Sequence, residues 1–135
     1  MDFKGDCKIS PLLVLDGTVA AGDLVRIDAD TGHLVICAAA ATLAPLGWAL
    51  ASGVATESIT VRIGTYDTLA LMTLENAYAV TQLGIKYALV GATGAQMVDN
   101  NKTDADLLQI AEADPSGSTT KAYVRLATPY GEAVS

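Results

Sequence analysis

Few residues in this 135-residue chain could support catalysis, and they are scattered along it. His33 is the single histidine, and acid–base catalysis usually depends on a positioned histidine or on carboxylates that share a pocket. His33 directly follows the turn-forming run Asp28–Gly32, where we expect a solvated side chain. The sequence also contains neither a Gly-x-Ser-x-Gly elbow nor a glycine-rich phosphate loop. We therefore predict that the protein is not an enzyme and uses no cofactor.

The acidic pair Asp28 and Asp30 resembles the beginning of a calcium-binding loop. The resemblance ends quickly, because Gly32 lies one place too early and the twelfth position holds Ala39 instead of a carboxylate. Aspartate is also a common turn residue, since its side chain accepts hydrogen bonds from the following backbone. We therefore predict an ordinary turn here and no metal site.

Charge and cysteine content narrow the possible partners. The net charge of −7 disfavours nucleic acid, whose phosphates require clustered lysine and arginine, and it disfavours an anionic membrane surface. Cys7 and Cys37 are the only cysteines, and the first residues lack the basic and then apolar pattern of a signal peptide. We expect both thiols to be reduced, with Cys37 as a small buried strand residue.

The hydrophobic pattern predicts strands. Leu24-Val-Arg-Ile27 and Leu34-Val-Ile36 flank the turn at residues 28–32, which is typical of a β-hairpin, and Ser58-Ile-Thr-Val-Arg-Ile63 alternates strictly. Residues 104–113 fit either a helix or a strand, and the strong turn that follows favours a strand after Leu107. We predict a mainly β fold, a small barrel or sandwich with at most one short helix. Its single domain would span residues 12–128, between an extended N-terminal arm (1–11) and a flexible tail (129–135).

The two halves of the chain also resemble each other in sequence. When Gly84 is placed on Gly22, Thr93-Gly94 falls on Thr31-Gly32, and one residue further along Tyr123-Val-Arg-Leu126 falls on Thr60-Val-Arg-Ile63. Each half then reproduces a hairpin, a connection and two further strands. This similarity predicts two pseudo-repeats, at about residues 18–63 and 80–126, whose pairing would hide exposed sheet edges.

Three larger side chains admit two interpretations each. Trp48 is the only tryptophan and could be either a core residue or part of an interface. Arg62 and Arg125 occupy equivalent positions of the two pseudo-repeats, on outward-facing sides of their strands. They could form matching ion pairs with a partner or remain ordinary solvated charges.

Several segments of the first half resemble the capsid decoration (cement, or head-stabilising) proteins of tailed bacteriophages. These segments are Val19-Ala-Ala-Gly-Asp-Leu-Val-Arg-Ile27, Thr31-Gly32, Leu46-Gly-Trp-Ala49 and Glu57-Ser-Ile-Thr-Val-Arg-Ile63. The resemblance covers residues 12–63, and more weakly the C-terminal hairpin with Tyr123-Val-Arg-Leu126. It implies a small structural virion protein, made in the bacterial cytoplasm and carried on the capsid exterior.

The resemblance also implies how such a protein would act. It would bind the outside of an icosahedral shell, often as a homotrimer, and clamp neighbouring subunits of the major capsid protein. The arm could then lie across a neighbour, with Phe3, Leu12 and Leu13 as apolar anchors, and Trp48, Arg62 and Arg125 as further interface residues. The alternative is a small β-barrel module that binds a carbohydrate or a peptide, or another assembly subunit without catalysis.

Overall fold

The computed structural model of the protein describes residues 1–37, 44–103 and 106–129. Its described part is mainly β, as predicted, with twelve strands and a single 3-10 turn at Val80–Gln82. The strands are β1 (Phe3–Gly5), β2 (Leu13–Val14), β3 (Leu24–Ile27), β4 (Leu34–Ile36), β5 (Gly47–Ala49), β6 (Ser58–Ile59), β7 (Val61–Ile63), β8 (Thr68–Thr73), β9 (Lys86–Val90), β10 (Met97–Asp99), β11 (Leu108–Ala113) and β12 (Lys121–Leu126). Within the described ranges their ladders form three sheets and no closed barrel, so the arrangement is sandwich-like.

The predicted hairpin is formed by β3 and β4, which have the bounds expected from the sequence. Its turn is held by the carbonyl of Asp28, which accepts a hydrogen bond from the Gly32 N–H at 2.8 Å. The Asp28 carboxylate accepts a second bond from the Asp30 N–H at 2.9 Å, as in an Asx turn. Asp28 is therefore a turn residue.

The predicted repeat corresponds to a repeated strand order. The four-stranded sheet has the strand order β4-β3-β5-β7. The six-stranded sheet contains the order β10-β9-β11-β12, in which the two hairpin strands come first and the two later strands follow, as in the four-stranded sheet. The registers also correspond: Gly47↔Ile63, Trp48↔Arg62 and Ala49↔Val61 in the first half, and Leu108↔Leu126, Gln109↔Arg125 and Ile110↔Val124 in the second. Arg62 and Arg125 therefore occupy equivalent ladder positions, as the sequence comparison predicted.

The equivalence extends upstream of the segments compared in the sequence. Leu13 pairs with Ile59 in the first half, and Met72 pairs with Ala122 in the second. The next residues after these strands, Leu15 and Leu74, each form a parallel bridge to the second strand of the hairpin in their own half. We call residues 8–63 the first unit and residues 67–126 the second unit. Each unit begins with a strand that the predicted boundaries at residues 18 and 80 leave out.

The N-terminal arm is extended, and it is bound along both units. Its strand β1 pairs antiparallel with β8 of the second unit. Further along, Ser10 N–H donates to the Val61 carbonyl at 2.9 Å, and Ile63 N–H donates to the Lys8 carbonyl at 2.8 Å. Gly5 turns the chain between these two contacts with a φ of 82°, and a Cβ atom there would collide with the Asp67 carbonyl. The arm therefore belongs to the folded domain.

Residues 108–113 form β11, so the interpretation of this segment as a strand is confirmed for the residues described. β11 is central in its sheet, between β9 and β12, and a bulge between Ile110 and Glu112 shifts its register. Residues 104–105 and most of the predicted flexible tail, residues 130–135, lie outside the described residues.

The buried apolar residues that the structure describes form two hydrophobic clusters. The first is built from Leu15, Val19, Val25, Leu34, Leu46, Ala49, Ile59, Val61 and Ile63. The second contains the buried side chains of the second unit together with Leu24, Cys37 and Trp48 of the first. Adjacent residues of β3 and β5 therefore point into different clusters. This shared boundary makes the two units one packed body.

Candidate interaction surface

Three of the predicted interface residues lie together where the arm crosses the first unit. The rings of Phe3 and Trp48 meet edge to face with their centroids 6.0 Å apart. The Arg62 guanidinium lies 4.8 Å from the centroid of the Phe3 ring, and its Nη2 and Nε donate to the Asp6 carbonyl at 3.0 and 3.2 Å. Cation–π and edge-to-face contacts each contribute about 0.5–1.5 kcal/mol. This cluster fastens the arm to the chain's own sheet.

Trp48 is fully buried, as the core interpretation predicted. Its indole N–H donates to the sulfur of Met72 in the second unit at 3.4 Å. A side chain in this position presents no surface to a partner, so Trp48 is a core residue and not an interface residue. Its role is to join the two units.

Arg125 has an aromatic partner of its own. Its guanidinium lies 4.8 Å from the centroid of the Tyr66 ring, the same distance that separates Arg62 from Phe3. Tyr66 itself is 59% exposed, so the pair of Arg125 and Tyr66 lies at the protein surface. The two arginines are thus equivalent in register and in the type of contact that they make.

Leu12 is the most exposed of the predicted apolar anchors, with 69% of its surface accessible. The next residue, Leu13, packs against the core of the first unit, because successive strand residues face opposite sides. Leu12 lies directly before β2 and two residues before Val14, and the Leu50 N–H donates to the carbonyl of Thr60, the residue between β6 and β7, at 3.1 Å. We call the three exposed apolar residues Leu12, Val14 and Leu50 the apolar strip.

Asp23 and Gln96 connect the two units, and sequence patterns alone did not single them out. The buried Asp23 carboxylate accepts hydrogen bonds from the N–H groups of Ala20 and Gly94, both at 2.9 Å. Gln96 accepts from the Leu24 N–H at 2.6 Å and donates to the Cys37 carbonyl at 3.1 Å. Both side chains therefore tie the second hairpin to the first unit.

A cleft of about 240 Å³ opens beside these contacts. It is lined by Met1, Ala21, Gly22, Asp23, Leu71, Thr73, Gly94, Gln96 and Lys121. The polar groups of Asp23 and Gln96 are already engaged in the hydrogen bonds that join the units. This leaves the Lys121 ammonium and the Thr73 hydroxyl as the side-chain groups in the cleft wall that could contact a ligand.

The His33 side chain is 43% exposed, as predicted for a residue after a turn, and it pairs with Asp16. Its Nδ1 lies 2.6 Å from Asp16 Oδ1, while the Thr31 hydroxyl donates to Asp16 Oδ2 at 3.1 Å. The hydrogen bond from His33 holds the pKa of Asp16 below its usual value. Asp16 follows the bridge between Leu15 and Leu34, so the pair fastens the hairpin turn to the first strand of its unit.

The two cysteines are free, and they differ in environment. Cys7 is exposed and Cys37 is buried, and burial raises the pKa of the Cys37 thiol to about 12. Because the thiolate is the reactive form, Cys37 should resist alkylation while the protein is folded.

We predict that a thiol reagent at neutral pH modifies one cysteine in the native protein and both after denaturation. Mass spectrometry of the modified peptides should assign the fast site to Cys7, and the Cys7→Ser variant should show no fast site. Rapid modification of Cys37 in the folded protein would contradict the buried position of this residue.

In the residues that the structure describes, no group of three or more histidine, cysteine, aspartate or glutamate side chains could hold a metal ion. In the same ranges no helix is long and apolar enough to cross a membrane. No family model matches the chain, and comparison with curated proteins and with solved structures gives no significant match.

Proposed function

We propose that the protein is a structural virion protein that binds the outer surface of a tailed-phage capsid. It would stabilise the shell by bridging neighbouring subunits of the major capsid protein. The observation that carries this proposal is the apolar strip of Leu12, Val14 and Leu50, which lies in the part of the chain, residues 12–63, whose sequence resembles decoration proteins. Arg62 and Arg125, both partly exposed, would add charged contacts to the capsid.

The physical properties of the strip suit such a contact. Exposed apolar side chains grouped on one strand surface often mark a protein interface, and burial stabilises by about 25 cal/mol per Å² of apolar surface. A small patch gives only modest affinity for one site, but many copies that bridge a shell add their effects through avidity. The net charge of −7 would favour docking at a basic surface and would disfavour packaged DNA as the partner.

A binding experiment with capsids tests the proposal. The probe is an expanded capsid assembled from the major capsid protein encoded in the same genome, mixed with the purified chain and sedimented. We expect the wild-type protein to co-sediment and to raise the temperature at which the capsid disassembles. Leu12→Asp should weaken binding at least about tenfold, because a charge would be buried without a partner.

Val80→Asp provides a matched control. Val80 is 74% exposed and lies in the second unit, so the same change is made at a similarly open apolar site. Circular dichroism should show that both variants remain folded. The proposal fails if wild-type protein does not bind the capsid, or if the two variants bind equally well.

The cleft between the units favours the alternative, a small ligand-binding module, but only weakly. Its volume of about 240 Å³ lies below the range of about 300–1,000 Å³ common for small-molecule pockets. None of its lining residues is aromatic, whereas carbohydrate sites usually offer an aromatic face. A rise in melting temperature with a sugar or peptide, without capsid binding, would favour this alternative.

A further inference from the structure

The two units differ at the outer edge of their first strand, which, among the described residues, β1 covers in the second unit only. In the second unit, the outer edge of β8 is covered by β1, with Lys4 directly opposite Leu69. The flanking bonds run from Leu71 N–H to the Asp2 carbonyl and from Asp6 N–H to the Asp67 carbonyl. This pattern makes Lys4 and Leu69 a hydrogen-bonded pair, so that both backbone groups of Leu69 are satisfied by β1.

Ile9 occupies the equivalent position in the first unit. Ile9 bridges Arg62, and the hydrogen bonds to β7 come from the neighbouring residues, Lys8 through its carbonyl and Ser10 through its N–H. In an antiparallel ladder this makes Ile9 and Arg62 a non-hydrogen-bonded pair. The N–H and the carbonyl of Ile9 therefore both point away from β7, toward the outer edge.

In the part of the chain that the structure describes, this outer edge at Ile9 is uncovered. Within residues 1–37, 44–103 and 106–129, no strand pairs with it, and the Ile9 side chain is 45% exposed. An uncovered sheet edge with an apolar side chain is a site where another strand adds readily. Among the described residues, β1 thus covers one of the two equivalent edges and no strand covers the other.

We infer that this edge, centred on Ile9, is where two copies of the chain associate. A twofold axis next to a strand places a second copy of that strand beside it, running antiparallel. If the residue at the axis has its N–H and its carbonyl pointing outward, each copy of this residue can donate to and accept from the other. Ile9 of one copy then donates to and accepts from Ile9 of the second, as Lys4 and Leu69 do within the chain. The two four-stranded sheets become one continuous sheet across the axis.

A second copy fits this edge better than exchange of the arm does. Transfer of β1 from its own β8 to a neighbour would break as many contacts as it makes, including the contact between Phe3 and Trp48. Pairing at Ile9 breaks none of the described contacts. This inference does not depend on capsid binding, and its twofold symmetry predicts a dimer instead of the trimer that the sequence resemblance implies.

Disulfide trapping tests the geometry directly. In a Cys7→Ser background, Ile9→Cys should form a covalent dimer under mild oxidation, because Cα atoms of a hydrogen-bonded pair lie about 5.5 Å apart, within disulfide range. Leu12→Cys in the same background is the control. Leu12 is more exposed than Ile9, but the two copies of residue 12 would lie about 20 Å apart along the paired strands and should not crosslink.

The mass in solution provides a second readout. Light scattering should give twice the 13.9 kDa chain mass for the wild type at high micromolar concentration, and a single chain mass for Ile9→Lys. Ile27→Lys is the matched control, since Ile27 is 42% exposed on β3, and it should remain dimeric. A monomeric wild type, a trimer, or equal crosslinking at positions 9 and 12 would overturn the inference.

Discussion

Replacement of Trp48 by alanine should lower the free energy of unfolding by about 4 kcal/mol, the largest effect expected for a single side chain here. Trp48 is fully buried and is among the largest of the buried side chains. It contacts the arm through Phe3 and the second unit through Met72, so the cavity would open where three parts of the chain meet. Urea denaturation followed by far-ultraviolet circular dichroism measures the change.

Trp48→Phe is the control for the size of the cavity. Phenylalanine keeps an aromatic ring but removes the N–H that donates to Met72, so the loss should be less than half as large. Both variants should unfold in a single transition, because Trp48 belongs to the cluster that the units share. A cost below about 1 kcal/mol for Trp48→Ala would be inconsistent with this packing.

Asp23→Ala should cost about 3 kcal/mol, the second-largest expected effect. The substitution removes a buried carboxylate and leaves the N–H groups of Ala20 and Gly94 without their acceptor. Hydrogen bonds to a charged group contribute about 1.5–3 kcal/mol, and an unsatisfied buried donor adds its own penalty. Denaturation gives the total cost, and hydrogen exchange should show faster exchange of the Gly94 amide than in the wild type.

Asp30→Ala is the matched control for this carboxylate. Asp30 is exposed in the hairpin turn, so its removal should change stability by less than about 0.5 kcal/mol. If the two substitutions cost the same, Asp23 does not join the units in the way that its hydrogen bonds indicate.

Local patterns in the sequence were sufficient for much of the fold. Alternating apolar residues and a turn rich in aspartate and glycine predicted β3 and β4 with correct bounds. The Val-Arg dipeptide that recurs in both halves placed Arg62 and Arg125 at equivalent positions. Simple alternation does not describe burial along β3. Ile27 is 42% exposed, whereas Leu24 and its neighbour Val25 are both buried, because β3 lies between two hydrophobic clusters.

Long-range contacts could not be predicted from the same patterns. No local feature of residues 1–11 indicates that Phe3 packs on Trp48 or that Lys8 and Ser10 bond to β7. The role of Asp23 in joining the two units could not be predicted for the same reason, since one of the two N–H groups that donate to it lies 71 residues away. For the candidate surface, the sequence predicted Leu12 as an apolar anchor, and the structure leaves it 69% exposed. Its proximity to Leu50 depends on how distant strands pair, which no local pattern predicts.

The binding of the arm to both units has a consequence for the order of folding. Ser10 accepts a hydrogen bond from a residue 51 positions later, and the carbonyl of Asp6 accepts one from a residue 62 positions later. During synthesis the arm therefore emerges long before its partners in β7 and β8 exist, and closing such long loops is entropically costly and slow. We therefore expect the arm to dock late in folding, after both units have formed. The arm is synthesised before the strands that it contacts, but it reaches its native position after them.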